Sequence, residues 1–304
     1  MTVSSASPCP PPVRTARPPG AGPGANTPAL HLAGAPRIFG YARLTEAFPG
    51  VRVHGGAPRT GDGWISGADL LADRAAVREL IAFDARQGLE RYGRPLRPDV
   101  AAGFCLHRYC WPAGLLFTLP WLWERRVPRL AAEAVSIRRR TGELTADPAG
   151  FSCLPDDPAA GLPGARVVAD AAALRGELLR ALAEHLSPVL AAFRPELRRG
   201  PRTLWACATD AVVEGLWQVA TRLGEEERAV AALARLLPPP PAATGPFVGG
   251  AGFRAASAGR AGASADPGCA ATGSSRTRDR AGCCLLYTVR PEQRCAGCPR
   301  ATRS

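Results

Sequence analysis

The chain has 304 residues, 46% of them hydrophobic, which is enough for one large domain or two small ones with a buried core. The formal net charge is +12, but all 38 basic residues are arginine, in a sequence rich in alanine, glycine and proline. We attribute the charge to compositional bias and expect no nucleic-acid partner, because no recognition helix or RNA-binding signature accompanies it.

The sequence shows no targeting or membrane-spanning signal. Residues 1–28 are rich in proline, glycine and alanine and lack the apolar core of a signal peptide. The longest apolar stretch, residues 113–123, is about half the length of a membrane span. We therefore expect a cytoplasmic protein, with at most a peripheral association with the inner face of the membrane. In the cytosol, the ten cysteines are expected to be thiols or metal ligands rather than disulfides.

The N-terminal part is predicted to pass from a disordered tail to a helical region. Residues 1–35 contain too few large apolar side chains to offset the entropy of ordering. We expect order to begin near Trp64, followed by a helix that Ser66 caps and that carries Asp69 in its first turn. The apolar face expected for that helix comprises Leu70, Val77, Leu80, Ile81 and Phe83.

Two further helices are predicted before the middle of the chain. One covers residues 99–109 and stops before Pro112, and the other covers residues 115–123 and is kinked or divided by Pro120. Residues 134–145 then predict a strand, a turn and a second strand. The arginine triplet at the end of the first strand is interpreted as a solvated strand edge rather than as an anion-binding site.

The second half begins with strong helical patterns. Asp170 is expected to cap one helix, and two more are predicted at residues 202–223 and 225–237. The inward faces of the first two helices are expected to contain Leu174, Leu178, Leu182, Leu186, Trp205, Val212, Leu216 and Val219.

The final quarter contains four cysteines with a spacing typical of a metal site. Cys283 and Cys284 are followed after ten residues by Cys295 and after two more by Cys298. A tight turn between the last two can direct both sulfurs at one iron, and Gly297 lets this turn bend without a Cβ penalty. We predict that the four thiolates bind an iron–sulfur cluster, since a two-iron cluster needs four protein ligands.

Zinc is the main alternative for this motif. Structural zinc sites usually present two separated chelating pairs, which a vicinal Cys-Cys pair fits poorly. Chance placement and a disulfide are weaker alternatives. Colour distinguishes the two metals, because an oxidised iron–sulfur protein is reddish-brown and a zinc protein is colourless.

The remaining cysteines and the histidines are predicted to take no part in the metal site. Cys105 and Cys110 are expected in the core. The cysteines that stand alone in the sequence are Cys9, Cys153, Cys207 and Cys269. The histidines are scattered and are expected to be structural; they are His31, His54, His107 and His185.

These patterns predict a mainly α protein with a small β element (α+β), in which a helical N-terminal domain precedes a small C-terminal iron–sulfur cluster domain. After the tail, residues 36–237 form the helical domain. Residues 238–282 are mostly Ala, Gly, Pro and Ser and are predicted to be a linker, and residues 283–304 form the cluster-binding segment. The anchors expected within the linker are Phe247, Val248 and Phe253.

The double cysteine with its ten-then-two spacing, close to the C-terminus, resembles the FhuF-like ferric siderophore reductase family. Residues 283–287 and 295–299 carry the resemblance, and Trp64, residues 100–109 and residues 202–205 add weaker support. The resemblance implies a [2Fe-2S] cluster on the four cysteines and an oxidoreductase that acts on metal ions. It implies that siderophore-bound iron(III), of the hydroxamate type, is reduced to iron(II) and released in the cytosol.

The implied chemistry needs no catalytic residue beyond the cluster ligands. Hard oxygen ligands hold iron(III) far more tightly than iron(II), so one electron is enough to loosen the metal. The sequence has no nucleotide-binding motif, so an external electron donor is expected to reload the cluster. The alternative function is a non-enzymatic iron–sulfur protein for electron transfer or redox sensing.

The arginines near the cysteines carry two further expectations. The family usually has arginines directly before the cysteine pair, whereas here Arg280 is followed by alanine and glycine. The low-complexity run before Arg280 is also longer than usual, so we expect the cluster domain to be less firmly docked. Arg280, Arg290, Arg294 and Arg300 flank the cysteines and are expected to favour the reduced cluster, or to attract an anionic siderophore complex. The alternative is that these arginines are merely solvated.

Overall fold

The computed structural model describes residues 39–239, 245–255, 276–291 and 297–300. The predicted tail, residues 1–35, lies outside these ranges. Order begins well before Trp64, so that expectation is wrong. Phe39 and Leu44 are fully buried, and the first helix and the first strand both precede Trp64.

The described residues are mainly helical with a small β component, which confirms the α+β part of the predicted fold class. The helices are α1 (Ala42–Ala47), α2 (Gly67–Ala72), α3 (Arg74–Tyr92), α4 (Pro98–Glu124), α5 (Ala171–Leu197), α6 (Pro201–Arg222) and α7 (Glu226–Leu236). Short 3-10 turns cover Ala132–Ala134 and Leu286–Thr288. No helix among the described residues combines the length and the apolar character needed to cross a membrane.

The strands form three small sheets. They are β1 (Arg52–Gly55), β2 (Trp64–Ser66), β3 (Val127–Arg129), β4 (Val135–Arg138), β5 (Glu143–Ala146), β6 (Gly150–Cys153), β7 (Ala165–Val167), β8 (Phe253–Ala255) and β9 (Arg276–Arg278). The largest sheet has the order β1-β5-β4-β2, the second β3-β6-β7, and β8 pairs with β9. Strands β4 and β5 pair antiparallel across a turn, which confirms the strand–turn–strand prediction.

Helix α4 lies at the centre of the molecule, and the prediction that prolines divide it is wrong. Pro112 and Pro120 both lie inside one continuous helix, whose residues are buried almost without interruption. Because Pro120 has no N–H, the Leu116 carbonyl loses its helical partner. The Tyr41 hydroxyl donates a hydrogen bond to this carbonyl at 2.8 Å. Tertiary packing therefore keeps the helix intact across a residue that disfavours it.

Helix starts follow the capping rules that the sequence indicated. Ser66 and Asp69 form a reciprocal capping box at α2. The prediction of a single continuous helix after Ser66 is wrong, because Asp73 has an extended backbone and its carboxylate caps a second helix, α3. Asp170 caps α5 by accepting from two backbone N–H groups at 2.8 Å, as predicted. The leucine row of α5 and the inward face of α6 are buried, with Trp205 half-buried.

The arginine triplet is not uniformly solvated. Arg139 keeps only 15% of its side chain exposed and forms an ion pair with Asp84 at 2.7 Å. Arg108 pairs with the same carboxylate at 2.9 Å, and both of these side chains are 1% exposed. Burial by itself raises the pKa of Asp84, but the two guanidiniums hold that pKa below its usual value.

The described parts of the predicted linker fold back onto α6. The Phe247 ring packs edge-on against Trp205 at 5.2 Å, and Phe253 packs against Trp217 at 5.4 Å. Phe253 also begins β8, which pairs with β9 just before the cysteine pair. These contacts bring the C-terminal segment alongside α6.

Candidate functional site

Two buried arginines join the C-terminal segment to helix α6. Arg278 pairs with Asp210 at 2.7 Å and with Glu214 at 2.8 Å. Arg280 pairs with Glu214 at 3.1 Å, and the four side chains are at most 6% exposed. Two cations balance two carboxylates, which is the condition under which buried charges are tolerated.

Asp210 also holds the backbone that leads into the cysteine pair. Its two carboxylate oxygens accept hydrogen bonds from the Ala281 N–H at 2.9 Å and the Gly282 N–H at 2.7 Å. A Cβ on Gly282 would lie 3.3 Å from the Asp210 Oδ2 and from the Cys207 backbone nitrogen. The structure therefore differs from the expectation of loose docking, since the small residues before the cysteines allow close approach to α6.

Cys283 and Cys284 lie half-buried on a small hydrophobic cluster, separate from the main core. Leu285 follows them with a left-handed backbone, at a φ of 63°, which turns the chain directly after the pair. The buried members of this cluster are Tyr92, Val100, Phe104, Leu285, Leu286 and Val289. The cysteine pair is thus supported by residues of α3, α4 and the C-terminal segment.

Cys298 comes close to Cys283. Burial raises the pKa of Cys283, and the neighbouring Cys284 and Cys298 thiols raise it further, whereas the Leu285 backbone amide and Arg300 lower it. Cys298 itself is 5% exposed. Three of the four predicted ligands therefore lie in one region, and Cys295 lies outside the described residues.

The turn that carries Cys298 is attached to the strand before the cysteine pair. Gly297 has a φ of 67°, and a Cβ there would collide with the Arg278 carbonyl oxygen. The Arg280 N–H donates to the Gly297 carbonyl at 3.0 Å. This geometry confirms that the turn requires glycine, and it holds Cys298 beside the segment that leads to Cys283.

The donor set fits an iron–sulfur cluster in its chemistry. Within residues 39–239, 245–255, 276–291 and 297–300, no three His, Cys, Asp or Glu side chains form a ready metal-binding group. Cys283, Cys284 and Cys298 do not by themselves converge into such a group, and the fourth predicted ligand, Cys295, lies outside these ranges. Thiolates are the ligands that such a cluster requires, and the glycine-dependent turn holds Cys298 near Cys283.

A cavity of about 40 Å³ lies beside the cysteine pair, between the N-terminal halves of α4 and α6. Its polar lining includes Asp99, His107, Arg199, Cys207, Asp210 and Arg280. Burial, and then the positive charge of Arg280, lowers the pKa of His107 to about 3, so this imidazole is neutral. Its Nε2 lies 3.8 Å from the Glu214 carboxylate and has no hydrogen-bond partner among the described residues.

Cys207 is the residue of this site that the sequence did not reveal. Helix α6 places it beside Cys284 and Cys283, one turn before Asp210. Burial, and then the Asp210 carboxylate, raises the pKa of Cys207 to about 12, so the thiol stays protonated. The sequence does not indicate this proximity, because Cys207 and the cysteine pair lie far apart in the chain and only the fold brings them together.

No protein-family model, curated protein or solved structure matches this chain. The remaining thiols and imidazoles are not predicted to be ligands, and some of them fall outside the described residues. Cys105, Cys110 and Cys153 are buried, as expected for core residues. Cys9, Cys269 and His31 fall outside the described ranges. His185 is buried, with its Nδ1 3.1 Å from the Leu130 carbonyl, and His54 contacts Glu143 at 3.1 Å.

Proposed function

We propose that this protein is a ferric siderophore reductase that transfers one electron from a [2Fe-2S] cluster to siderophore-bound iron(III) in the cytosol. The cluster would be held by Cys283, Cys284, Cys295 and Cys298, within a C-terminal segment that covers residues 283–304. The observation that carries the proposal is that Cys298 lies near Cys283, and that Asp210 fixes the backbone directly before Cys283.

When bound, a [2Fe-2S] cluster supplies single electrons. The task of the surrounding chain is to hold the thiolates at a fixed position near the surface. Asp210 and Arg278 do so from the α6 side, and the hydrophobic cluster beneath Leu285 does so from the α4 side. The cysteine pair is only half-buried, so a large oxidant can approach it from solvent.

The cavity beside the pair is too small for a whole siderophore. Ligand pockets that enclose drug-sized molecules measure roughly 300–1,000 Å³, against about 40 Å³ here. The ferric complex is therefore expected to dock at the surface over the cysteine pair. Since reduction alone weakens the bonds from iron to hard oxygen ligands, no nucleophile or general base is required.

The test combines metal analysis with a reduction assay. Aerobically purified protein should contain about two irons and two sulfides per chain. Protein reduced with dithionite, freed of excess reductant, is mixed without oxygen with a ferric trihydroxamate. Cluster reoxidation and trapped iron(II) should then appear together, one for one.

Two results would contradict the proposal. Stoichiometric zinc without sulfide would show that the cysteines bind zinc and not an iron–sulfur cluster. A loaded cluster that stays reduced in the presence of ferric hydroxamates and ferric catecholates favours the non-enzymatic alternative. A matched variant, Cys284→Ser, provides the background rate of iron(II) release.

A further inference from the structure

Arginines from three separate segments border the half-buried cysteine pair. Arg97 precedes α4 and lies close enough to Tyr287 to interact with it electrostatically. Arg300 stacks over the same ring at 4.7 Å, and Arg290 lies 5.6 Å from the Tyr92 ring. Arg199, between α5 and α6, lines the same cavity as the two cysteines. We call these four residues, Arg97, Arg199, Arg290 and Arg300, the arginine rim.

The rim carries a net positive charge. Within the described ranges, Asp99 is the carboxylate that pairs with it, at 2.8 Å from Arg97 and 3.5 Å from Arg199. Arg290 and Arg300 have no carboxylate partner among the described residues and stack on tyrosine rings instead. A stacked guanidinium keeps its N–H edge available for an incoming carboxylate.

Among the described residues, the surroundings do not cancel this charge, and the two negative charges of an oxidised four-thiolate cluster would offset it only in part. The acidic side chains beneath the cysteine pair, Asp210 and Glu214, are already neutralised by Arg278 and Arg280. Exposed arginines elsewhere, such as Arg74 and Arg180, do form ion pairs with carboxylates.

An electron donor has to approach this same edge, because electron transfer weakens steeply with distance. The glycine run at residues 249–252 leads into β8 and not into a helix, so it does not form a dinucleotide-binding turn. The cavity is also too small for a nicotinamide or flavin cofactor. A donor that docks on the surface and carries negative charge complements the rim, and such encounters need only a small interface.

We propose that the arginine rim docks an acidic one-electron donor protein of the ferredoxin type. The docked donor is oxidised by one electron and the cluster of this protein is reduced by one, with no bond made or broken. The electron-transfer part of this inference rests on the proposed function, whereas the docking itself does not. An anionic siderophore and an anionic lipid surface are competing occupants that the test includes.

The test measures binding of the cluster-loaded protein to a recombinant acidic [2Fe-2S] ferredoxin by calorimetry. Arg290→Glu combined with Arg300→Glu should raise the Kd for ferredoxin at least tenfold at low salt. Added salt should weaken binding by the wild type and have less effect on the variant. The neutral variant, Arg290→Gln combined with Arg300→Gln, should have a Kd between those of the wild type and the glutamate variant. It replaces the glutamate variant if that protein fails to fold. Cytochrome c, a basic redox protein, should not bind the wild type.

A matched control is Arg59→Glu combined with Arg175→Glu, which changes the net charge equally. Arg59 also stacks on an aromatic ring, Trp64, at 5.2 Å. Arg175 lies near the start of α5, about 30 Å along the axis from the cavity end of that helix. Ferredoxin should bind this control as tightly as it binds the wild type.

The docking proposal is overturned by equal Kd values for the rim variant and the control, or by no ferredoxin binding in the wild type. It is also overturned if the rim variant loses binding only to a ferric siderophore, or only to vesicles with 30% anionic lipid. If the ferric siderophore fails to reoxidise the cluster while ferredoxin binding is intact, the proposed function is wrong and the docking proposal is retained.

Discussion

The Asp210 carboxylate accepts a hydrogen bond of 2.7 Å from the Gly282 N–H, which directly precedes the cysteine pair. The same carboxylate binds the Ala281 N–H and the buried Arg278 guanidinium. One side chain of α6 therefore fixes both the backbone and the charge balance of the segment that carries Cys283. The position of the vicinal pair depends on a residue that lies 72 positions before Gly282 in the sequence.

This relationship predicts the effect of Asp210→Asn. The substitution keeps the shape of the side chain but leaves the positive charge of Arg278 partly uncompensated. It also places the side-chain NH2 group of asparagine where a backbone N–H needs an acceptor. Loss of one partner of a buried pair typically costs about 3–5 kcal/mol. Urea unfolding should show a loss of this size, together with reduced iron content.

The control for this substitution is Asp156→Asn. Asp156 pairs with Arg125 at 3.0 Å on the surface, where both side chains are more than half exposed. An exposed pair of this kind contributes about 0–1 kcal/mol. Equal losses of stability in the two variants would contradict the role assigned to Asp210.

Local patterns in the sequence predicted the helices better than they predicted the contacts between distant segments. Ser66, Asp170 and the leucine row of α5 act locally, so capping rules and periodicity were sufficient for them. The sequence places Asp210 and Cys207 inside the helix predicted at residues 202–223 and indicates no role for either in a site. Their roles depend on the C-terminal segment folding back onto α6, and no local signal encodes that.

Helix α4 shows the opposite failure, in which a valid local rule is overridden. Pro120 disfavours a continuous helix, and the sequence gives no indication that Tyr41 lies next to the freed Leu116 carbonyl. Burial on nearly every side of α4 supplies the stabilisation that the local rule does not count.

Tyr41→Phe is expected to destabilise the protein by about 1–3 kcal/mol, because it leaves the buried Leu116 carbonyl without its partner. Pro120→Ala restores the helical N–H that can serve this carbonyl. In a double-mutant cycle, Tyr41→Phe should therefore cost less in the Pro120→Ala background than in the wild type. Strict additivity of the two free-energy changes would show that the carbonyl is not shared between the two residues.

Stability should fall as the pH drops below the ordinary histidine range. Burial, as the main cause, lowers the pKa of His107 to about 3 and that of His185 to about 4. The unfolded chain takes up protons on these groups near pH 6.5, whereas the folded protein does not. Their contribution is therefore complete above pH 6.5 and decreases as the pH falls toward 4, by about 1.4 kcal/mol per pH unit for each histidine.

The measurement is the free energy of unfolding in urea between pH 7.0 and 5.5, a range that avoids more acidic conditions for the cluster. His107→Gln should reduce the dependence of unfolding free energy on pH in this window. A dependence equal to that of the wild type would show that His107 is protonated in the folded protein or accessible to solvent.

The cysteine variants separate cluster ligands from bystanders. Cys284→Ser and Cys298→Ser should bleach the protein and lower iron to well below two per chain, because a two-iron cluster needs four ligands. Cys153→Ser should leave colour and iron unchanged, since this buried thiol lies in β6. Cys207→Ala is the sharper control, because Cys207 lies beside the vicinal pair but is not one of the four predicted ligands. It should keep full iron content, with a shift in the absorption or the potential of the cluster caused by loss of the neighbouring thiol. Loss of iron in Cys207→Ala, with Cys298→Ser fully loaded, would exchange the roles of these two cysteines and overturn the ligand set proposed for this protein.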